Sequence, residues 1–588
     1  MREPAFENLR DRDSSSIEAP LPASSVHDWK IQCDVLVIGY GVAGASAALE
    51  AADRGLDVVL IDRFRGGGSS QLSGGIVYAG GGTPVQRECK VEDSAAAMAD
   101  YLEKEVAGTV SRETVRRFCE DSIDTLAFLS RAGVQFSGPR APKKTSYPTS
   151  QYYLYFSDND TVPAYRGTHP PAERGHRVKD PSLVPGAPIP PGKKPHGGFS
   201  EGADVGWYLM AAMKQAVAKH PRIRVLLQTR ASRLIRADDG RIIGAEVRML
   251  KPRGPGGALH RWAEAKAANL TLQLMGLALP FRRLMNLAET TLARRQPIRA
   301  NHAVILAAGG YIRNKAIMQR YAAAYLKTLP IGSFGDDGAG IRLGVSAGGV
   351  ADHLHRISAW RFINPPYDWI KGVIIGTDGR RITNEEQYGA HIARAIYEQS
   401  AGKAWLVLDH ALMNSALDSV RTGNLFGFQQ FPVTQAQKNA IRADTVEQLA
   451  EKLGVPAGAM RADIDAYSAA AVHGTPDPMG KSDDCRTAFR GGPFYAVDLS
   501  HKLPTNPTTS ISTGGLRVNE TTGAVVDSAG RPIPGLYAAG RSAVGIPSNN
   551  YVSGLSLADG VWSGRRAAGA IADSSASIPE APRIAAIR

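Results

Sequence analysis

The sequence predicts an α/β fold built on a doubly wound parallel sheet, with a second α+β domain inserted into it. Residues 34–38 form a continuous apolar run, typical of a buried parallel strand, and lead through a glycine-rich turn into an Ala-rich helix. A second apolar strand over 58–61 ends at Asp62. A short strand at 535–540 lies near the other end of the chain, so we expect the sheet to be assembled from both ends.

The remaining elements complete this division. Further strands are predicted at 223–227 and 303–306, with a hairpin turn at 238–240 between them. Residues 315–500 contain helices and strands but no glycine fingerprint, and we interpret them as a substrate and catalytic domain. The predicted organisation is an N-terminal arm (1–32), a first cofactor-binding part (33–314), the inserted domain (315–500) and a second cofactor-binding part (501–588).

Composition excludes several classes of protein. With 43% hydrophobic and 21% charged residues the chain is neither disordered nor fibrous. The longest apolar run, 270–281, is too short to span a bilayer, and residues 1–33 lack the apolar core of a signal peptide, so we expect a cytoplasmic protein. The four cysteines form no C-x-x-C pair, which argues against a disulfide framework or a metal cluster.

The glycine-rich turn after the first strand carries a dinucleotide fingerprint. Gly39, Gly41 and Gly44 have the spacing G-x-G-x-x-G between a strand and a helix, and Asp62 follows 18 residues after Gly44. Glycines let the backbone approach a pyrophosphate, and the helix N-terminus offers it free N–H groups. We expect Asp62 to accept hydrogen bonds from the adenosine ribose.

The segment after Asp62 favours a flavin over a nicotinamide. Residues 63–75 are mostly small, which suits a chain that wraps a ribityl group and a flavin ring. Later glycine-rich stretches at 513–516 and 534–540 precede a helix that starts near Ser556. Such a helix would direct its positive end at the edge of a reduced flavin, where negative charge collects.

From residue 33 to about 572 these motifs resemble the flavoprotein family of fumarate reductases, succinate dehydrogenases and 3-ketosteroid dehydrogenases. The resemblance implies a Rossmann-like FAD-binding domain of the GR2 type, and FAD held non-covalently, because no flavin-linking His occurs in 66–75. The residues implied in cofactor binding are Gly39, Gly41, Val42, Ala43, Gly44, Asp62, Arg63, Ser69, Ser70, Gln71, Gly74, Gly75, Ala231, Ala308, Gly309, Asp337, Gly540, Ser556 and Leu557.

Three stretches resemble the Δ4-(5α) branch of the ketosteroid dehydrogenases. Residues 547–557 contain Tyr551 and Ser553 where the fumarate branch has a His-containing signature, so we expect a neutral, steroid-like ketone as substrate. Tyr388 follows an Asn-Glu pair, as the catalytic Tyr of the ketosteroid branch does, and 78–86 is the third match. The resemblance implies Tyr551 as donor to the ketone oxygen, Ser553 as base and Tyr388 as the proton acceptor behind it.

Other interpretations stay open at this point. A Δ1-dehydrogenase would share fold and cofactor, although it carries a Pro/Gly-rich stretch after the Tyr that is missing here. An enone reductase of the fumarate reductase type and a non-catalytic flavin-binding protein are further alternatives, and the sequence names no electron acceptor. We interpret Tyr152, Tyr153 and Tyr155, in a lid-like insertion at 136–205, as packing residues, and assign no chemistry to Arg174 and His176.

A second insertion, at 251–299, is strongly basic. It has nine Lys or Arg residues against two acids, or +7 of the net +13 in one-twelfth of the chain, around the apolar run 270–281. Cations beside apolar residues suit an anionic membrane surface, so we predict reversible peripheral contact there, with substrate entering from lipid. Without a recognition motif, we expect no binding of nucleic acid. The alternative is a helical hairpin packed on the protein itself or on a second copy.

Overall fold

The computed structural model describes residues 6, 9, 16–180, 205–271, 275–422, 425–501 and 507–575, without the side chains of 268–277. Parts of four predicted segments lie outside the described residues. These are most of 1–15 in the arm, 181–204 in the lid-like insertion, the side chains of 270–277 in the apolar run, and 576–588 at the end of the last domain.

The strands, in chain order, are β1 (Leu21–Pro22), β2 (Ile31–Ile38), β3 (Val58–Ile61), β4 (Ile76–Tyr78), β5 (Leu154–Tyr155), β6 (Gly175–Arg177), β7 (Ile223–Leu226), β8 (Thr229–Arg236), β9 (Ile242–Met249), β10 (Arg294–Leu306), β11 (Leu329–Pro330), β12 (Ala351–Asp352), β13 (Ile357–Trp360), β14 (Val373–Ile375), β15 (Trp405–Leu408), β16 (Ile441–Ala443), β17 (Phe494–Asp498), β18 (Thr509–Ser512), β19 (Gly515–Leu516), β20 (Ala524–Val526) and β21 (Pro532–Ala538).

The helices are α1 (Val42–Asp53), α2 (Gly68–Gln71), α3 (Pro84–Glu88), α4 (Ala95–Val106), α5 (Arg112–Glu120), α6 (Ser122–Arg131), α7 (Gly206–Lys219), α8 (Pro255–Thr271), α9 (Met275–Thr291), α10 (Lys315–Tyr321), α11 (Ala339–Ser346), α12 (Gly389–Ser400), α13 (His410–Thr422), α14 (Gly427–Asn439), α15 (Val446–Leu453), α16 (Ala457–His473) and α17 (Leu555–Ser575).

One large sheet gathers the strands that the sequence predicts from both ends of the chain. Its order is β1-β8-β9-β10-β2-β3-β7, and β21 joins it by pairing with β10. The pairs β1–β8, β10–β2, β2–β3, β3–β7 and β10–β21 are parallel, whereas the pairs β8–β9 and β9–β10 are antiparallel. The carboxyl ends of β2, β3 and β10 therefore meet at one edge, where the glycine-rich turns lie.

Two elements of this sheet differ from the sequence prediction. Strand β10 begins at Arg294, not near residue 303, because 294–299 pair with β9 before the strand bulges and continues along β2. The predicted N-terminal arm contributes a strand to the sheet, since β1 pairs with β8 and the Glu18 N–H donates to the Ser232 carbonyl oxygen at 2.9 Å.

The last helix, α17, packs closely along α1. A Cβ atom at Gly564 would lie 2.4 Å from the Ala43 carbonyl oxygen, so only glycine allows this approach. The contact fixes the N-terminus of α17 beside the glycine-rich turn.

A second apolar core belongs to the inserted region. The antiparallel sheet β14-β15-β17-β16 carries two buried clusters that run from Ile363 to Leu499. In contrast, Ile317, Ile341 and Leu354 are buried in the core of the large sheet. The separate core thus begins later than the predicted boundary at residue 315.

The two predicted insertions have defined structures in their described parts. Within 136–180, β5 and β6 pair with β4 in a small sheet beside the glycine-rich segment. The basic insertion is a helical hairpin, α8 and α9, that ends before β10, so residues 294–299 belong to the sheet. Its inward side chains pack with Phe64 and Phe334, as the alternative interpretation expects. No described helix combines the length and the apolar character needed to cross a bilayer.

Candidate active site

Glycines make the turn between β2 and α1 tight, and some backbone N–H groups there are free to bind an anion. Gly39 has φ +110°, and a Cβ at Gly44 would lie 1.8 Å from the Gly39 carbonyl oxygen. The Val42 N–H donates to Ser70 Oγ at 3.1 Å, and no side chain caps the helix at Gly41. The N–H groups of Ala43 and Gly44 therefore have no partner within the helix, which is the chemistry that a pyrophosphate requires.

Asp62, at the end of β3, braces this turn. Its two carboxylate oxygens accept from the Tyr40 N–H at 2.8 Å and the Phe64 N–H at 2.7 Å. A carboxylate has further lone pairs on each oxygen, so Asp62 can still accept from ribose hydroxyls. Ala231, predicted on the same side, lies buried in the middle of β8.

The small-residue segment after Asp62 is anchored on both sides. Ser69 Oγ donates to Asp336 Oδ2 at 2.8 Å, and Gln71 Oε1 accepts from Lys214 Nζ at 2.9 Å. The Gly74 carbonyl oxygen accepts from the Tyr147 hydroxyl at 2.9 Å, and Gly75 has φ +66°. These contacts hold the backbone in the curved path that a ribityl chain needs.

Two adjacent aspartates serve different segments. The predicted Asp337 is buried, accepts from the Ala339 N–H at 2.9 Å, and pairs with Arg63 at 3.1 Å. Its neighbour Asp336, which the sequence did not single out, pairs with Arg541 at 2.7 Å. It also receives the Gly310 N–H at 3.2 Å, so it fixes the turn that contains the predicted Ala308 and Gly309.

The predicted C-terminal cofactor residues lie around the start of α17. The Gly540 N–H donates to Ser563 Oγ at 2.9 Å. Ser556 and Leu557 lie in the first turn of α17, where the positive end of the helix stabilises negative charge. Ser556 Oγ lies 3.4 Å from the Tyr551 hydroxyl, which connects this helix start to the predicted catalytic residues.

Three predicted catalytic side chains meet in one buried place. Tyr388 precedes α12, whereas Tyr551 and Ser553 precede α17, and Tyr388 and Ser553 are both buried. The Tyr551 ring meets Trp360 edge-on at 5.2 Å, and Tyr388 packs in the same apolar cluster. The structure thus brings together residues that lie more than 160 positions apart in the sequence.

The Tyr155 hydroxyl joins this group, which the sequence did not predict. It donates to Ser553 Oγ at 2.9 Å, and the side chain is fully buried. We interpreted Tyr155 from the sequence as a packing residue, because no local pattern connects it to Ser553. Tyr152, by contrast, is only partly buried and packs at the edge of a small apolar cluster formed by Tyr155, Ile76 and Ala141.

A short loop after Tyr155 positions two of the predicted catalytic residues through the backbone. The Ser157 carbonyl oxygen accepts from the Ser553 N–H at 3.1 Å. Asn159 Oδ1 accepts from the Tyr388 N–H at 2.5 Å, and Asn159 Nδ2 donates to the buried Glu105 at 2.9 Å. The orientation of both Tyr388 and Ser553 therefore depends on the insertion at 136–205.

Burial keeps the phenols of the site neutral. It raises the pKa of Tyr388 well above the ordinary value, with repulsion from Tyr551 and Tyr155 adding to it, while hydrogen bonds to Ser553 and Trp360 oppose it. Burial likewise raises the pKa of Tyr155 and Tyr551. All three hydroxyls can therefore donate hydrogen bonds at neutral pH.

A family profile described as FAD binding domain matches residues 34–557. The chain belongs to this flavoprotein family. The predicted family and FAD as cofactor are confirmed, as is a mixed α/β flavoprotein fold.

Several proteins similar to this flavoprotein are named as 3-ketosteroid dehydrogenases. It is 38% identical over 524 residues to 3-oxo-5-alpha-steroid 4-dehydrogenase of Comamonas testosteroni, covering 87% of this chain and 93% of that protein. It is 26% identical to 3-oxosteroid 1-dehydrogenase of Mycobacterium tuberculosis over 88% of this chain and 94% of that protein. The crystal structure of 3-ketosteroid-delta4-(5alpha)-dehydrogenase from Rhodococcus jostii RHA1, in complex with 4-androstene-3,17-dione, matches with a TM-score of 0.77 and 25% identity, over 94% of this chain and 100% of that one.

The residues of this flavoprotein fit FAD. The uncapped start of α1 suits the pyrophosphate, Asp62 retains acceptor capacity for the ribose, and the first turn of α17 at Ser556 can stabilise charge on the isoalloxazine. Asp336 and Tyr155 are the residues that the sequence analysis missed. The sequence shows two adjacent aspartates at 336–337, but only the fold shows that each one pairs with a different arginine.

Proposed function

We propose that this flavoprotein is an FAD-dependent 3-ketosteroid dehydrogenase that introduces the C4–C5 double bond next to the ketone. The observation that carries the proposal is the convergence of Tyr551, Ser553 and Tyr388 beside the start of α17. The relatedness to the 4-dehydrogenase of Comamonas testosteroni supports it.

We further assign separate roles to the large sheet and to the inserted region. The large sheet, built from both ends, is the FAD-binding domain of the GR2 type with a doubly wound topology. The α+β region with its own core from Ile363 to Leu499 is the substrate domain. Tyr388, which precedes α12, then comes from the substrate domain, whereas Tyr551 and Ser553 come from the FAD-binding domain.

Tyr551 is the proposed donor to the substrate ketone. Loss of the α-proton requires that negative charge on the ketone oxygen be stabilised as the enolate develops. Since burial raises its pKa, Tyr551 keeps its proton and can donate it in a hydrogen bond. The Trp360 ring fixes the phenol from the side at 5.2 Å.

Ser553 is the proposed base at the α-carbon. A serine hydroxyl takes a carbon-bound proton only if it passes its own proton on at the same time. Tyr388 is the acceptor in this relay: its oxygen takes the Ser553 proton as it gives up its own, so one proton is passed on for each one abstracted. When bound, FAD supplies the acceptor for the hydride that leaves the β-carbon.

Product identification tests the proposal. Purified holoenzyme is mixed without oxygen with saturated 3-ketosteroids of the 5α and 5β series, and loss of the oxidised flavin absorption is followed. We expect bleaching by a 5α substrate and a product with a C4–C5 double bond. A C1–C2 double bond would instead support the Δ1 alternative, and no bleaching by any ketosteroid would overturn both.

Peripheral membrane contact by the hairpin remains a proposal of its own. Its support is that Trp262 and Leu287 are 49% and 57% exposed on α8 and α9. We expect wild type to co-sediment with anionic liposomes in a salt-sensitive way. Equal binding by a variant that carries Trp262→Ser and Leu287→Ser, and so keeps the buried face of the hairpin, would contradict this.

A further inference from the structure

One buried carboxylate fastens the hairpin α8–α9 to the FAD-binding domain. Glu289, near the end of α9, is 2% exposed. Its Oε1 accepts from Arg63 Nε at 2.7 Å and lies 3.0 Å from His260 Nε2, and its Oε2 accepts from Arg230 at 3.0 Å. Residues from three segments of the chain therefore contact a single carboxylate.

The two arginine partners of Glu289 adjoin residues assigned to the cofactor. Arg63 directly follows Asp62, and Arg230 directly precedes Ala231. Arg63 also pairs with Asp337 at 3.1 Å, next to the start of α11. The insertion thus connects three segments that the fingerprint and the family resemblance place around the cofactor.

A layer of rings supports the same connection. The His260 ring stacks on Phe64 with the centroids 5.7 Å apart and the planes inclined by 24°. Phe64 also packs against the inward face of the hairpin, together with Ala263 and Met285. Because the Phe64 N–H donates to Asp62 at 2.7 Å, the position of the ribose-binding carboxylate depends on this packing.

The partners of Glu289 keep it ionised although it is buried. Burial alone would raise the pKa of Glu289, but Arg63, His260 and Arg230 hold it well below the ordinary value, so the residue is ionised. Removing one member of a buried ion pair is costly because the remaining charges lose their compensation. Neutralising Glu289 would leave Arg230, whose side chain is 4% exposed, without its carboxylate.

We propose that the hairpin α8–α9 is a clamp on the adenosine half of FAD, and that Glu289 is its latch. The clamp holds the segments around Asp62, Ala231 and Asp337 in one arrangement and so sets the affinity for the adenosine moiety and the rate at which FAD is released. This role depends on FAD binding, but not on the identity of the steroid or of the bond oxidised.

The test compares Glu289→Gln with Glu264→Gln in the holoenzyme. Glu264 lies on the same hairpin and pairs with Arg65 at 3.0 Å, and that arginine is half exposed, so the control removes the same charge without touching the latch. FAD release is followed by the rise in flavin fluorescence after dilution. We expect release to be about tenfold faster or more in Glu289→Gln and within about twofold of wild type in Glu264→Gln.

A second readout separates a clamp from a general loss of stability. ADP carries the adenosine half of FAD alone, and its dissociation constant for the apoprotein is measured by calorimetry. We expect Glu289→Gln to weaken ADP binding about tenfold and to reduce the rise in Tm that FAD gives. Unchanged ADP affinity, with apoprotein and holoenzyme destabilised equally, would overturn the proposal.

His260→Gln decides the matter if Glu289→Gln does not fold. This variant keeps both arginine pairs of Glu289 and removes the imidazole ring that stacks on Phe64 and contacts Glu289. We expect FAD release to be about threefold faster or more, whereas release at the wild-type rate would overturn the clamp.

Discussion

The Tyr155 hydroxyl donates a hydrogen bond to Ser553 Oγ at 2.9 Å, across 398 positions of sequence. The proposed base therefore has two phenol neighbours, Tyr155 and Tyr388. A hydroxyl that receives a hydrogen bond from one phenol has its remaining lone pair and its own proton directed by that contact. We infer that Tyr155 thereby orients the Ser553 hydroxyl for the proposed relay to Tyr388.

Tyr155→Phe removes this donor and keeps the ring. We expect kcat to fall about tenfold while FAD stays bound, because one hydrogen bond of ordinary strength is lost. The control is Tyr152→Phe, in the same apolar cluster but at its partly buried edge, which should retain wild-type turnover. Equal kcat for both variants would show that Tyr155 only packs.

The catalytic assignment predicts that three substitutions each slow the reaction. Ser553→Ala and Tyr388→Phe should each lower the rate of anaerobic flavin reduction by about a hundredfold or more, since both interrupt the proton relay. Tyr551→Phe should lower it by about a hundredfold, through loss of the donor to the ketone. Near-normal reduction rates in all three variants, with FAD retained, would contradict the assignment.

Asp158 predicts a pH dependence of stability. Its carboxyl accepts from the Tyr78 hydroxyl at 2.7 Å, and burial together with Asp160 raises its pKa to about 7. Because an unfolded Asp titrates near 3.9, the folded protein holds this proton more tightly, and stability is lost as pH rises from about 4 through about 7.

Asp158→Asn removes that titration and can still accept from Tyr78. We expect its Tm to exceed that of wild type at pH 8 and the difference to shrink at pH 5. Asp465→Asn, at a side chain that is 62% exposed, is the control and should leave the pH profile unchanged. A pH profile of Asp158→Asn parallel to that of wild type would refute the coupling.

The surroundings of Gly44 and Gly458 predict opposite effects of a Gly→Ala substitution. Gly44→Ala would place Cβ 1.8 Å from the Gly39 carbonyl oxygen, so we expect purified protein without bound FAD. Gly458→Ala lies in α16, where nothing beyond its own helix backbone and chain neighbours comes within 4 Å of the added Cβ, and should stabilise the fold by about 0.5–1 kcal/mol. Flavin absorbance and thermal unfolding measure both, and full FAD content in Gly44→Ala would contradict the close approach.

Much of the fold around the candidate FAD site was predictable because its signals are local. The turn at 39–44 and Asp62 follow apolar strands directly, and both lie where that pattern places them. Tyr155 and Asp336 were not predictable, since their partners lie 398 and 205 positions away and no periodicity connects them. The hairpin was misjudged in extent because the basic residues 294–299, which pair with β9, were counted with it.

The most direct test of the proposed reaction is a kinetic isotope effect on anaerobic flavin reduction. A 5α-3-ketosteroid deuterated at C4 and C5 is compared with one deuterated at C1 and C2. The account predicts that only the first slows flavin reduction, because the relay through Ser553 takes the C4 proton and the hydride leaves C5. An isotope effect confined to the substrate deuterated at C1 and C2 would contradict the account and identify a Δ1-dehydrogenase.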